Sequence, residues 1–205
     1  MKVALGITGG IAAYKAAELV RVLQDKGIDV QVVMTRHACE FVRPLTFAAL
    51  SGHKVITEMF GEGGDDANVE SAIEHIAVAQ SIEALVIAPA TANTLAKLAH
   101  GLADDFLSTL FLAINVPVVV APAMNVNMWE HTVTQENLEI LRRRGVTIVP
   151  PDEGYLACGM IGAGRLASVE AIAKAVFETL GIREDLKGET VLVTAGPTEE
   201  PLDAV

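Results

Sequence analysis

Short apolar runs, separated by segments of helical character, set the pattern of this chain. Lys2 to Thr8 (KVALGIT), Asp29 to Thr35 (DVQVVMT), Ala84 to Ala88 and Val116 to Ala121 place aliphatic and β-branched residues on successive positions rather than alternate ones. Such runs predict strands buried on both faces of a parallel sheet. Ile11 to Lys26, Ile73 to Gln80, Leu95 to His100, Asp104 to Ile114 and Thr134 to Arg144 read as helices between them, with shorter helical pieces from Arg36 to Gly52 broken by Pro44. A short strand from Val146 to Val149 and a helix from Ser168 to Leu180, opened by an N-cap serine, complete the alternation. The order predicts one α/β domain: a doubly wound parallel sheet with right-handed crossovers and helices on both faces. Residues 61–70 (GEGGDDANVE) read as an exposed acidic loop, and 150–166 as glycine-rich and irregular.

Composition narrows what such a domain can bind. With 205 residues, 51% of them hydrophobic, the chain can bury one sizeable core. A formal charge of −11 argues against a nucleic-acid partner, because an anionic ligand must be held locally against the overall field. Two distant cysteines, Cys39 and Cys158, suit a reducing compartment. Cys39 falls in a helix-like stretch and reads as core. Met1-Lys2 leads straight into a strand, so no signal peptide is expected, and no apolar run reaches the length of a membrane span. A cytoplasmic protein with no membrane partner and no metal site is the expectation.

Three strand ends offer chemistry. Gly6-Ile7-Thr8-Gly9-Gly10-Ile11 joins the first strand to the first helix, where glycines permit close approach of a phosphate. It lacks the full G-x-G-x-x-G spacing, and Thr35 stands where a dinucleotide site would end its second strand with an acid, so a mononucleotide is favoured over NAD. Pro89-Ala90-Thr91-Ala92-Asn93-Thr94 puts hydroxyls and an amide at a helix start; an ordinary N-cap explains them equally well. Pro122-Ala123-Met124-Asn125-Val126-Asn127-Met128-Trp129 follows the fourth strand and sets an amide between two methionines and the only tryptophan. His75, after the acidic loop, and Cys158, among glycines, are reactive groups whose commoner fates are a partly buried side chain and a structural thiol.

Together Gly9-Gly10-Ile11, His75, Pro122 to Trp129 and Leu156-Ala-Cys-Gly-Met-Ile-Gly-Ala-Gly-Arg165-Leu166 resemble the homo-oligomeric flavin-containing cysteine decarboxylases. More narrowly, residues 2–180 resemble the decarboxylase halves of bifunctional phosphopantothenoylcysteine decarboxylase/phosphopantothenate–cysteine ligases. Val191 to Thr198, with Glu200-Pro201 and Asp203, resembles the opening of the ligase half. The resemblance implies a Rossmann-like, flavodoxin-like flavoprotein domain over 1–189 and the start of a truncated ligase domain over 190–205. It also implies FMN as cofactor, whereas Mg2+ and CTP would serve only the missing ligase half. The implied reaction removes CO2 from 4′-phosphopantothenoyl-L-cysteine to give 4′-phosphopantetheine in coenzyme A biosynthesis. Oxidation to a thioaldehyde gives the departing electrons somewhere to go, and re-reduction of the enethiolate follows.

The same resemblance makes His75, Asn125 and Cys158 catalytic, with Cys158 a proton donor whose thiol type has an ordinary pKa of about 8.5. It implies FMN contacts from Gly9, Gly10, Ile11, Thr35, His37, Ala38, Phe41, Thr91, Ala92, Asn93, Thr94 and Ala123, and substrate contacts from Asn125, Met128, Ala157 and Arg165. Homo-trimers, assembling further into dodecamers, would put the flavin at a subunit interface, with Asn125 and His75 acting across it. Departures from the family pattern fall at 67–74, where an aromatic usually precedes the histidine, and at Thr132-Val133, usually Pro-Ala. Two other readings fit the same residues: a flavin-binding regulatory module without catalysis, and a same-fold enzyme such as a flavin prenyltransferase or a decarboxylase of a peptidyl cysteine.

Overall fold

The computed structural model describes residues 1–59, 69–155, 159, 161–182, 190 and 196. Five parallel strands, β1 (Lys2–Ile7), β2 (Asp29–Met34), β3 (Ala84–Ala90), β4 (Val118–Pro122) and β5 (Thr147–Ile148), form one sheet in the order β2-β1-β3-β4-β5. The strand order reverses direction between β1 and β3, which is where open sheets of this kind leave a crevice at the carboxyl ends of their strands.

The unbroken apolar runs are explained by two cores. Val3, Leu5 and Ile7 of β1, with Val30, Val32, Met34, Ala84, Val86, Ala88, Val119 and Ala121, face one helical layer. Ala4, Val33, Leu85, Ile87, Val118 and Val120 face the other. The period-2 alternation of a strand is present, but both phases are apolar because both faces are covered. On the first face lie α1 (Ala16–Asp25), α3 (Pro44–Ser51) and α9 (Val169–Thr179); on the second, α4 (Val69–Ser81), α5 (Ala92–His100), α6 (Phe106–Ala113) and α8 (Thr132–Arg143). Two short helices, α2 (Arg36–Phe41) and α7 (Val126–Glu130), follow β2 and β4.

Several boundaries differ from the sequence reading for local reasons. Ile11 to Lys15 is a 3-10 turn, and the α-helix starts only at Ala16. Pro44 starts α3 at its first position rather than breaking a helix, where its missing N–H costs nothing. The third strand runs on through Pro89 to Ala90, with a shift of register against β4 between Ile87 and Ala90. The described residues of 150–166 are not irregular: β6 (Asp152–Tyr155) and β7 (Ile161–Arg165) pair as an antiparallel hairpin. Its glycines hide the alternation that would have announced it. Cys39 is half-buried against the first core rather than inside it, and burial together with Glu40 raises its thiol pKa. Most of the expected acidic loop at 61–70 and of the expected second domain from 190 onward lies outside the described residues.

One polar cluster ties α5 to α6. Asp105 caps α6 in a reciprocal box with Ser108, and Lys97 reaches Asp104 at 2.6 Å and Asp105 at 2.8 Å. Burial opposes ionisation of Asp105, but the hydrogen bonds from Lys97 and Ser108 outweigh it and hold the carboxyl below its ordinary value. A lowered carboxyl pKa stabilises the fold above the unfolded value near about 4 and is lost as pH falls through the folded value. Asp105→Asn should therefore flatten the acid limb of stability against pH while keeping a capping side chain. Urea midpoints measured from pH 7 down to pH 3 that retain the wild-type slope would contradict this.

Candidate functional site

The ends of β1, β3, β4 and β7 are drawn together by a short series of hydrogen bonds. Thr8, 1% exposed, donates its hydroxyl to the Pro89 carbonyl at 2.7 Å and accepts from the Thr91 amide at 3.0 Å. The Ala123 amide donates to the Ala90 carbonyl at 3.0 Å, which holds the end of β4 against the end of β3. The Met124 amide then donates to the Gly164 carbonyl at 2.9 Å, bringing in the hairpin. Each link satisfies a backbone group that a strand end would otherwise leave unpaired.

Two glycines make these approaches possible. A Cβ on Gly9 would overlap the Cβ and backbone of His37, so the turn after β1 can lie against α2 only without a side chain. Gly164, at φ +141°, presents the same case against the Met124 carbonyl oxygen. The glycines of the Gly-Ala-Gly-Arg stretch are thus accounted for by docking of the hairpin.

The four segments enclose an open cavity of about 440 Å³. Gly9, Gly10, Ile11, Thr91, Ala92, Ala123, Asn125, Met128 and Arg165 line it, each singled out by the sequence. Asn125 caps α7, its side-chain oxygen accepting from the Asn127 amide at 2.8 Å. Thr91 caps α5 by accepting from the Thr94 amide, so the bland reading of that motif and its place at the cavity are both true.

Other expected contacts are not in the lining. Thr35 caps α2, Ala38 is buried beneath it, and Thr94 is buried under the Thr91 cap. His37 packs beside Gly9, Asn93 is exposed on α5, and Phe41 is 49% exposed. His75 lies on α4, outside the cavity lining, with its Nδ1 buried and without a hydrogen-bond partner among the described residues. Ala157 and Cys158 lie outside the described residues. Sequence reasoning missed Tyr14, Lys15 and Met124 in the lining and the bridging role of Thr8. A buried hydroxyl directly before a double glycine was the available signal for Thr8.

The lining is mostly apolar, with amide and hydroxyl groups at its edge, an arrangement suited to a flat ring system carrying polar substituents. The domain is thus of the flavodoxin-like class, with its ligand crevice at the point where strand order reverses. The chain belongs to the Flavoprotein family, whose pattern matches residues 1–181. It is 44% identical over 203 residues to the coenzyme A biosynthesis bifunctional protein CoaBC of Haemophilus influenzae, covering 99% of this chain and 50% of that protein. The chain spans about half the length of the curated relatives it matches. Among solved structures it is similar to a cysteine-to-serine mutant of PPC decarboxylase complexed with pantothenoylaminoethenethiol, with a TM-score of 0.74 and 30% identity over 88% of this chain and 98% of that one. The FMN-dependent cysteine decarboxylase SpaF matches with a TM-score of 0.73 and 33% identity, over 88% of this chain and 97% of that one.

Thr8→Val keeps shape but removes the bridge, leaving the Thr91 amide and part of the Pro89 carbonyl's bonding unmet in a closed site. A loss of about 1–3 kcal/mol in urea unfolding is expected, with Thr8→Ser near wild type. Equal stability of the valine and serine variants would show that the bridge contributes nothing.

Proposed function

We propose that this chain is an FMN-dependent decarboxylase of 4′-phosphopantothenoyl-L-cysteine, forming 4′-phosphopantetheine for coenzyme A synthesis in the cytoplasm. One observation carries the reading: Asn125, Met128 and Arg165 line the same cavity as the Gly9-Gly10 turn and the Thr91 cap. Proposed substrate groups and proposed cofactor groups therefore share one space, in a chain similar to CoaBC and to PPC decarboxylase.

The lining fits the flavin. Ile11, Ala12, Ala123, Met124 and Met128 offer apolar contact to a flat ring, while Gly10 leaves room beside Thr91, whose methyl would stand 3.8 Å from an added Cβ. FMN, when bound, supplies a reversible hydride acceptor, so that loss of CO2 need not leave a localised carbanion. Asn125 orients the substrate carboxylate from the N-cap of α7, where its side-chain oxygen accepts from the Asn127 amide and so fixes the direction of the side chain at the cavity. Cys158 returns a proton to the enethiolate, and His75 positions or moves a proton beside the carboxylate.

Within one chain His75 and Asn125 do not share the cavity, and His75 keeps a buried nitrogen with no partner among the described residues. That separation supports a site completed by another copy of the chain, in a homo-trimer that can assemble further into a dodecamer. Residues 190–205 begin the ligase domain of a longer protein under this reading.

Purified protein should be yellow, retain flavin through gel filtration and release CO2 from 4′-phosphopantothenoylcysteine but not from a phosphate-free peptidyl cysteine. Flavin without turnover would favour the regulatory-module reading. His75→Asn should abolish CO2 release yet keep bound flavin; Cys158→Ser should stall after oxidative decarboxylation, releasing only the CO2 of a single turnover and accumulating the oxidised enethiol with its flavin left reduced. Normal phosphopantetheine yield from the serine variant would remove Cys158 from the mechanism.

A further inference from the structure

A chain with 26 acidic and 15 basic residues has, at its ligand cavity, a lining of the opposite character. No aspartate or glutamate lines it among the described residues, and its only charged members are Lys15 and Arg165. They come from different parts of the fold: Lys15 is the last residue of the 3-10 turn after β1, and Arg165 ends β7 of the hairpin. Neither has a carboxylate partner among the described residues, although other cations do, as Lys2 does with Asp29, Lys97 with Asp104 and Lys174 with Glu178. Asp152 stands opposite Arg165 in the hairpin register without forming an ion pair with it, and side chains of one sign with no ion-paired carboxylate around a mainly apolar cleft concentrate the field at its mouth.

From this we infer that Lys15 and Arg165 form a two-cation clamp for the phosphate monoester of a ligand whose remaining body lies in the cavity. Arg165 offers a planar fork that can take two phosphate oxygens at once, and Lys15 a compact point charge. A phosphate monoester carries about −1.5 to −2 at neutral pH, so the pair balances it in a protein that would otherwise repel it. The 3-10 geometry contributes here, because it brings Tyr14 and Lys15, three and four residues past Ile11, back to the cavity that the Gly9-Gly10 turn opens. This inference rests on the proposed function for the identity of the ligands: the phosphate is that of the flavin or that of the cysteinyl substrate.

The test compares each ligand with its phosphate-free counterpart, using Lys15→Met, Arg165→Met and the double variant of the full chain. FMN is compared with riboflavin by fluorescence quenching, and 4′-phosphopantothenoylcysteine with pantothenoylcysteine by calorimetry. Thermal unfolding of each variant verifies the fold. The double variant is expected to weaken the phosphorylated member of one pair by about tenfold to a hundredfold, with its counterpart changed less than about twofold and the single variants between. The affected pair identifies which phosphate is held. Equal weakening of both members, or no weakening in either pair, overturns the clamp. Should the wild-type chain bind no flavin and form no product, the proposed function falls on its own. The clamp is then judged by inorganic pyrophosphate alone: a thermal shift present in wild type and lost in the double variant supports it, and no shift overturns it.

Discussion

The Thr8 hydroxyl links the two strand ends between which the crevice opens. At the reversal of strand order, β1 and β3 are neighbours whose following helices depart to opposite faces, and beyond their last paired residues, Gly6 and Ile87, the Thr8 amide still donates to the Pro89 carbonyl at 3.3 Å. The buried hydroxyl reinforces that link, donating to the same carbonyl and accepting from the Thr91 amide. Three hydrogen bonds through Thr8 thus hold the two strand ends together at the crevice.

From that link the other segments follow in series. Ala123 is tied to Ala90, and Met124 to Gly164, so the β4 end and the hairpin are positioned by way of β3. Lining residues that are 155 positions apart in sequence, Gly9 and Gly164, thereby meet around one space. The long apolar strands supply rigidity, and the few polar contacts at their ends decide shape. This division is common in doubly wound proteins, where the sheet is a platform and ligand chemistry belongs to the loops.

Much of the architecture could be read from the chain. Buried strands such as Ala84 to Ala90 advertise themselves because both faces are apolar, and Gly9 and Asn125 were visible through their placement after strands, Arg165 only through the family resemblance. Less legible was anything that depended on glycine in a strand. Gly162 and Gly164 provide no hydrophobic beat, so β7 looked like a loop, although their role is to let the strand lie on Val126 and Met124. Lys15 was missed for another reason: a continuous α-helix was assumed from Ile11, whereas a 3-10 turn changes which side chains return to the cavity. Thr35, Thr94 and Phe41 show the converse, since position after a strand does not distinguish a side chain that caps or packs from one that reaches the cavity.

The hydrogen bond from Met124 to Gly164 also joins two parts that could have been independent. Asn125 is the next residue along the backbone from the donor, and Arg165 the next from the acceptor. Because Gly164 has no side chain to hold the strands apart, the peptide carrying Asn125 and the peptide carrying Arg165 are in direct contact. The backbone positions that carry the capped amide and the guanidinium are therefore coupled: whatever displaces the hairpin at Gly164 also displaces the start of α7, so the two sides of the cavity cannot be altered independently.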